Sequence, residues 1–252
     1  MKLFLATNSE TSKTINIKLL EVACKYALKN TNFHIYVIFD GKKEELNLPK
    51  EINIIEHKHR CYDIFKNSQR CIKENNLFIA SGAFLRTEIP FLCKKYNFKD
   101  EYILYCDYDT LFFNIDYDYL NNLKPEFFAS CPEYDKNNWN IINTGVMLMN
   151  VNHFYNIDDF ILNYINTNFE SLTVWDQTLY NNLYKNKITK LSIEYNWKPY
   201  WGINNNAKII HFHGAKPLSI EDIKRAEEPI IKHLRNLDKK SLEYYSDIWQ
   251  QY

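Results

Sequence analysis

An α/β fold built on an open, mostly parallel sheet is what this chain predicts, on three observations. Short apolar runs alternate with helix-period stretches along the first hundred residues. The run Glu101 to Phe113, EYILYCDYDTLFF, breaks from apolar into two carboxylates and turns apolar again. Finally, 46% apolar residues, 16% aromatic residues and only five glycines can fill a large core. At 252 residues with no Pro/Gly/Ser-rich linker, one domain is expected.

Taken in order, Lys2 to Ala6 predicts a first strand, a polar turn follows from Thr7 to Thr14, and apolar periodicity predicts a helix over 15–29. Phe33 to Phe39 and Ile52 to Ile55 are the next strands. Helices are expected near 64–75 and 83–96, leading into the strand that ends at Asp107. Further strands are expected at 127–130, 145–150 and 208–212, with helices near 157–169 and 176–184. The tail, 220–252, reads as helical and charged, packed on the domain. In such sheets ligands sit at the carboxyl ends of the strands, where Ala6, Thr7, Asn8 and the Asp107 segment lie.

Composition excludes several classes. Cationic and anionic residues balance at 31 each, which removes the general electrostatic drive toward nucleic acid. Six cysteines without CxxC or zinc-like spacing read as small buried residues in a reducing, cytoplasmic compartment. Met1 to Ala6 lacks a secretory core, and no run approaches the ~18 apolar residues needed to cross a bilayer. Contact with a membrane is therefore expected to be peripheral.

Fourteen aspartates in 252 residues give roughly 0.8 Asp-x-Asp pairs by chance, so a bare pair says little. The chain carries its own control in Asp116-Tyr117-Asp118, which follows Asn114-Ile115 and reads as a turn or helix start. Asp107-Tyr108-Asp109 ends a buried strand, and paired hard oxygens there suit a divalent cation that holds phosphate. Asn143-Thr144-Gly145 precedes an apolar strand and reads either as a turn or as an amide that bonds sugar hydroxyls. Asp176 and Gln177 open a helix, where Asp176 is a cap or a donor-sugar contact. In His211-Phe212-His213-Gly214-Ala215-Lys216-Pro217, alternation points the two imidazoles to opposite faces, so one of them enters the site. Gly214 permits close backbone approach to phosphate, and Lys216 offsets its charge. Arg86, one of five arginines, lies on a helix ahead of the metal strand.

The ordered set Ala6-Thr7-Asn8, Arg86, LYCDYDTLF, NTGVMLMN, WDQ and IIHFHGAKP, spanning roughly residues 1–217, resembles glycosyltransferase family 8, the family of glycogenin and bacterial lipopolysaccharide galactosyltransferases. The resemblance implies a GT-A fold, a single Rossmann-like domain over 1–217 with a helical extension over 218–252. It implies a nucleotide-sugar donor, usually a UDP-sugar, with Mn²⁺ or Mg²⁺, and retention at the anomeric carbon. It would make Asp107, Asp109 and His211 (His213 as the alternative) the metal ligands. Arg86, Asn143, Asp176 and Gln177 would surround the donor sugar; Gly214 and Lys216 would hold phosphate; Ala6, Thr7, Asn8 and Tyr108 would lie along the nucleotide. The acceptor would be a glycan or glycolipid of a bacterial surface polysaccharide, capsule or lipopolysaccharide, reached at the inner face of the cell membrane. The family's usual tail is His-x-x-Gly-x-x-Lys-Pro-Trp; here the Gly214 to Lys216 interval is one residue shorter and Leu218 replaces Trp.

Two other readings compete. A haloacid-dehalogenase-type phosphatase also sets Asp-x-Asp after a strand, but it expects Asp-x-Asp-x-Thr near the chain start, whereas Thr110 follows Asp109 directly and mid-chain. A non-catalytic nucleotide-sugar-binding module would keep the fold without turnover.

Overall fold

The computed structural model describes residues 1–9, 15–217 and 229–251. A seven-stranded sheet runs through it in the order β3-β2-β1-β4-β7-β6-β8. Its strands are β1 (Lys2–Asn8), β2 (His34–Asp40), β3 (Asn53–Glu56), β4 (Tyr102–Cys106), β6 (Phe128–Pro132), β7 (Ile142–Asn150) and β8 (Thr189–Lys190). β3, β2, β1 and β4 are mutually parallel, and β7 runs antiparallel to both β4 and β6. A separate two-stranded ribbon pairs β5 (Thr110–Phe112) with β9 (Ile209–His211).

Alternation along β1 explains why helices cover both faces. Leu3 and Leu5 enter one apolar core with the helix Ile15–Asn30, while Phe4 and Ala6 enter the other with the helices Leu77–Phe84 and Ile89–Lys95. Strands buried on both sides read as continuous apolar runs, which is how this one reads. All six cysteines are buried and free.

Several elements depart from expectation, each for a local reason. The helix expected at 64–75 is two, Tyr62–Asn67 and Gln69–Glu74, because Ser68 adopts extended backbone and its side chain accepts from Cys71 N. The helix expected at 83–96 is interrupted by a 3-10 segment, Leu85–Glu88, before Ile89–Lys95 starts with Pro90 in its first turn. Arg86 therefore sits on the tighter 3-10 turn. The single run Glu101 to Phe113 forms two strands in different sheets, β4 and β5, broken at the two aspartates. Asn143 and Thr144 lie inside β7, not in a turn before it. A helix at Val151–Asn156 and the short β8 are additional. Asp116 caps the helix Tyr117–Leu123 by accepting from Tyr119 N, as its sequence context indicated.

The tail reading falls partly on 218–228 and 252, outside the described residues. Its described helices, Pro229–Leu237 and Lys239–Gln250, pack on the domain: Leu242, Tyr245 and Trp249 are buried in the same core as the helix Ile15–Asn30. Tyr26 OH donates to Ile248 O at 2.8 Å.

Candidate metal centre

Strand direction brings the candidate residues to one edge. β1 ends there at Asn8, Asp107 and Glu133 directly follow β4 and β6, and β7, running the other way, has Asn143 and Thr144 in its first residues. Asp107 N donates to Gly145 O at 2.7 Å, which ties the end of β4 to the start of β7. The β5–β9 ribbon then closes over this edge: Thr110 pairs with His211, and Phe212 N donates to Asp109 O at 3.0 Å. Ligands separated by a hundred residues thus become neighbours.

Asp107, Asp109 and His211 each present one ligand atom, all within 4.8 Å of one another. His211 Nε2 lies 3.4 Å from Asp109 Oδ1 and 3.6 Å from Asp107 Oδ2. A hydrogen-bond relay sets the imidazole's tautomer. Asn143 Nδ2 donates to Glu133 Oε2 at 2.8 Å, so its Oδ1 accepts from Gly145 N at 3.0 Å and from Asn196 Nδ2 at 2.9 Å. Asn196 Oδ1 therefore faces His211 Nδ1 at 2.9 Å and accepts its proton. The bare Nε2 lone pair is left pointing at two carboxylates, an arrangement that a cation resolves. Burial also lowers the His211 pKa, more than the neighbouring Asp109 raises it, and a neutral imidazole is the metal-binding form. Asp109 Oδ1 is buried without a hydrogen bond. Two carboxylates and one imidazole suit Mn²⁺ or Mg²⁺, and the residues present fit such an ion.

Lys216 Nζ pairs with Asp109 Oδ2 and donates to Phe212 O at 3.0 Å. Burial alone would raise the Asp109 carboxyl, but Lys216 and His211 hold it well below the usual carboxylate range. Gly214, at φ +75°, supplies the left-handed turn that brings Lys216 back over the aspartate.

Behind Asp107 sits a buried cation. Arg86 Nη2 donates to Asp107 Oδ1 at 2.9 Å, Nη1 donates to Thr144 O, and Nε lies 3.1 Å from Asp176 Oδ2. Its guanidinium stacks 4.5 Å from the Tyr105 ring centroid, and Tyr105 OH donates to Asp107 Oδ1 at 2.7 Å. Burial pushes the Asp176 carboxyl up to about 6 against the lowering effect of Arg86. Asp176 is not a cap: it lies in the first turn of the helix Trp175–Leu183, whose N-cap is Val174. Gln177 Oε1 accepts from Asn143 Nδ2 at 3.2 Å, so Asp176 and Gln177 anchor Arg86 and Asn143 respectively.

The remaining expected residues are placed less centrally. Ala6, Thr7 and Asn8 are buried at the end of β1; Asn8 Nδ2 donates to Ser81 Oγ at 3.0 Å and to Phe78 O, and Thr7 Oγ1 is buried without a hydrogen bond. Tyr108, between the two aspartates, packs against the core. The two histidines do not point to opposite faces. β9 ends at His211, a tight turn in which His213 N donates to His211 O follows, and the rings lie 5.5 Å apart. His213 turns away from the aspartates, held by Tyr200 OH at 2.9 Å and Glu133 Oε1 at 3.0 Å. Glu133 and Asn196 escaped the sequence reading, because each is a single polar residue with no motif around it; their role exists only through the contacts of the fold.

No protein-family model matches the chain, and no curated protein matches it in sequence. Its fold is shared with solved glycosyltransferases. The galactosyltransferase LgtC, solved in complex with donor and acceptor sugar analogs, matches with TM-score 0.64 at 16% identity over 94% of this chain and 95% of LgtC. The glycosyltransferase GlyE of Streptococcus pneumoniae TIGR4 matches with 0.63 at 16% over 99% of this chain, which spans 63% of GlyE, less than two thirds of it. Mouse xyloside xylosyltransferase 1 matches with 0.58 at 13% over 86% of this chain and 99% of its own. What they share with this chain is the GT-A fold.

Proposed function

We propose that this chain is a metal-dependent glycosyltransferase that moves a hexose-type sugar from a nucleotide-sugar, a UDP-sugar first, to a glycan or glycolipid acceptor. The observation that carries this reading is the Asp107, Asp109 and His211 cluster, with Lys216 beside it, at the strand ends of a GT-A fold. LgtC's complex with donor and acceptor sugar analogs supports the substrate class. The proposed catalytic domain is 1–217, with 218–252 as its extension. Among the described residues no helix is long and apolar enough to cross a membrane, and the proposed place of action is surface-polysaccharide assembly with peripheral membrane contact.

A divalent cation held by Asp107, Asp109 and His211 would supply Lewis-acid charge to the diphosphate. Lys216 adds a second positive charge where the leaving diphosphate gains negative charge as the glycosidic bond breaks. Arg86, fixed between Asp107 and Asp176, holds the Asp107 carboxylate in place. Gln177 offers an uncharged hydrogen bond to a sugar hydroxyl, and Asn143, whose amide already makes four hydrogen bonds, holds Gln177 and the His211 relay beside the donor sugar. Thr7, Asn8 and Tyr108 border the nucleotide, and Gly214 leaves room for phosphate. Retention is the proposed outcome: Asp176 is committed to Arg86 and sits deep, which leaves departing phosphate oxygen to take the acceptor proton. An inverting reaction would instead require Asp176 as base.

Calorimetric titration of UDP, with Mn²⁺ and with EDTA, into the wild type and Asp109→Asn tests the site. Metal-dependent binding that the variant loses is the expected result. Equal binding with and without metal would overturn the reading, and an NMR-assigned product of inverted configuration would overturn retention. Release of inorganic phosphate from phosphomonoesters would revive the phosphatase, and binding without transfer across several acceptors the silent module.

A further inference from the structure

A second cleft of about 610 Å³ lies at the other end of the β5–β9 ribbon. Phe113 follows β5 and Lys208 precedes β9, and Phe113 N donates to Lys208 O at 2.9 Å. Phe113 lies four residues on from Asp109, about 13 Å along the strand. The cleft volume is in the range of small-molecule sites.

Its chemistry differs from that of the metal centre. Five of its lining residues are amides, Asn30, Asn114, Asn204, Asn205 and Asn206, and Tyr244 stands at its edge. Among the described residues the lining holds no carboxylate, histidine or cysteine, and Lys208 is the one cation there. That excludes a metal or acid–base site, and it is too little positive charge for a polyanion. Amides that donate and accept together, beside an exposed aromatic ring, match vicinal hydroxyls and the apolar face of a pyranose.

The amides are held ready. Asn30 Nδ2 donates to Phe112 O at 3.0 Å, which leaves its Oδ1 to accept from a ligand. Asn204 Oδ1 accepts from Asn206 N at 3.0 Å, Ala207 N donates to Asn204 O at 3.2 Å, and Asn204 N donates to Tyr245 OH at 2.8 Å. This turn is thereby fixed to the last helix, and Asn205 and Asn206 project from it into solvent with no side-chain hydrogen bond among the described residues. A turn whose backbone is already fixed has less entropy to lose on binding. The Tyr244 ring, 41% exposed, is braced edge-on by Tyr245 at 5.1 Å.

We propose that this cleft is a second carbohydrate-binding site, for neutral oligosaccharides and separate from the metal centre. It recognises a neutral glycan by the Asn205 and Asn206 amides and by stacking on Tyr244.

The test is a neutral-glycan array probed with the full chain, followed by saturation-transfer NMR titration of the bound oligosaccharides. Expected is binding unaffected by EDTA or by excess UDP with Mn²⁺. It should weaken about tenfold or more in Asn205→Ala/Asn206→Ala and in Tyr244→Ala, since two lost hydrogen bonds or a lost stack amount to roughly 1.4 kcal/mol or more. These side chains are exposed, so thermal unfolding of both variants should stay at the wild-type temperature. Absence of any bound neutral glycan, unchanged binding in both variants, or binding that requires UDP and Mn²⁺ would each overturn the second site. Failure of UDP to bind leaves it untouched and counts against the proposed transferase alone.

Discussion

Gly145 shows how a single residue can decide a metal centre. A Cβ there would lie 2.2 Å from His211 Cε1, 2.7 Å from His211 Nδ1 and 2.9 Å from Asn143 Oδ1. The constraint is packing against a buried ring, which cannot retreat. Gly145→Ala is expected to displace the imidazole, to cost about 1–3 kcal/mol of stability, and to weaken Mn²⁺ binding; wild-type metal affinity by calorimetry would contradict this. Asn196 offers a cleaner separation, because it touches no candidate ligand atom other than the remote nitrogen of His211. Asn196→Ala frees the ring to take its other tautomer, so Mn²⁺ affinity should fall roughly 10- to 100-fold while the metal ligands stay in place. An unchanged affinity would show that the relay from Glu133 does not set the tautomer.

Among elements, the 3-10 segment Leu85–Glu88 does two jobs at once. Arg86 faces the metal centre, and Glu88, two residues on, braces the segment against the chain after β3. Glu88 Oε2 accepts from Arg60 Nε at 2.8 Å and lies 2.7 Å from His57 Nε2, while Arg60 clasps Asp158 through both terminal nitrogens at 2.7 and 2.8 Å. His59 Nδ1 accepts from Cys61 N at 2.9 Å, the geometry of a neutral imidazole. Burial alone would raise the Glu88 carboxyl, yet His57, His59 and Arg60 hold it down at about 2. Burial pulls His59 down to about 4, opposed by Glu88. Both groups bind protons more readily unfolded than folded, from ordinary values of 4.5 and 6.5. Stability should therefore fall as pH drops, first through the His59 window from about 6.5 to 4 and then through the Glu88 window from about 4.5 to 2. Urea midpoints measured against pH check this; a flat profile between 6.5 and 4 would refute the histidine's part. Glu88→Gln weakens the charge-assisted bond from Arg60 Nε while Asp158 still pairs both terminal nitrogens, and should cost about 1.5–3 kcal/mol at neutral pH.

Across the whole molecule, the C-terminal helix is part of the core and not an appendage. Trp249, Tyr245 and Leu242 are buried with the helix Ile15–Asn30, and Lys18 Nζ stands 5.5 Å from the Trp249 ring centroid. Trp249→Ala is expected to lower global stability by about 3–5 kcal/mol, in one urea transition. A separate, earlier transition confined to the tail would show that it folds on its own.

How much of this was legible in the chain depends on the range of the interaction. The α/β class, the strands at Lys2, Phe33 and Ile52, and the aspartates at the end of the β4 run were readable, because hydrophobic period and strand-end polarity are local properties. The 3-10 turn under Arg86 and the split of the 101–113 run were not, since each is settled by where tertiary partners pull the backbone, and the Ser68 break is a local cap resting on one serine that the apolar period around it outweighed. His211 and Lys216 could be named as candidates from their segment. That His211 rather than His213 joins the aspartates came from the ribbon pairing of β9 with β5 and the turn after it. Glu133 and Asn196 carried no signal at all: a hydrogen-bond relay across chain-distant residues is written in distances, and distances exist once the sheet has folded.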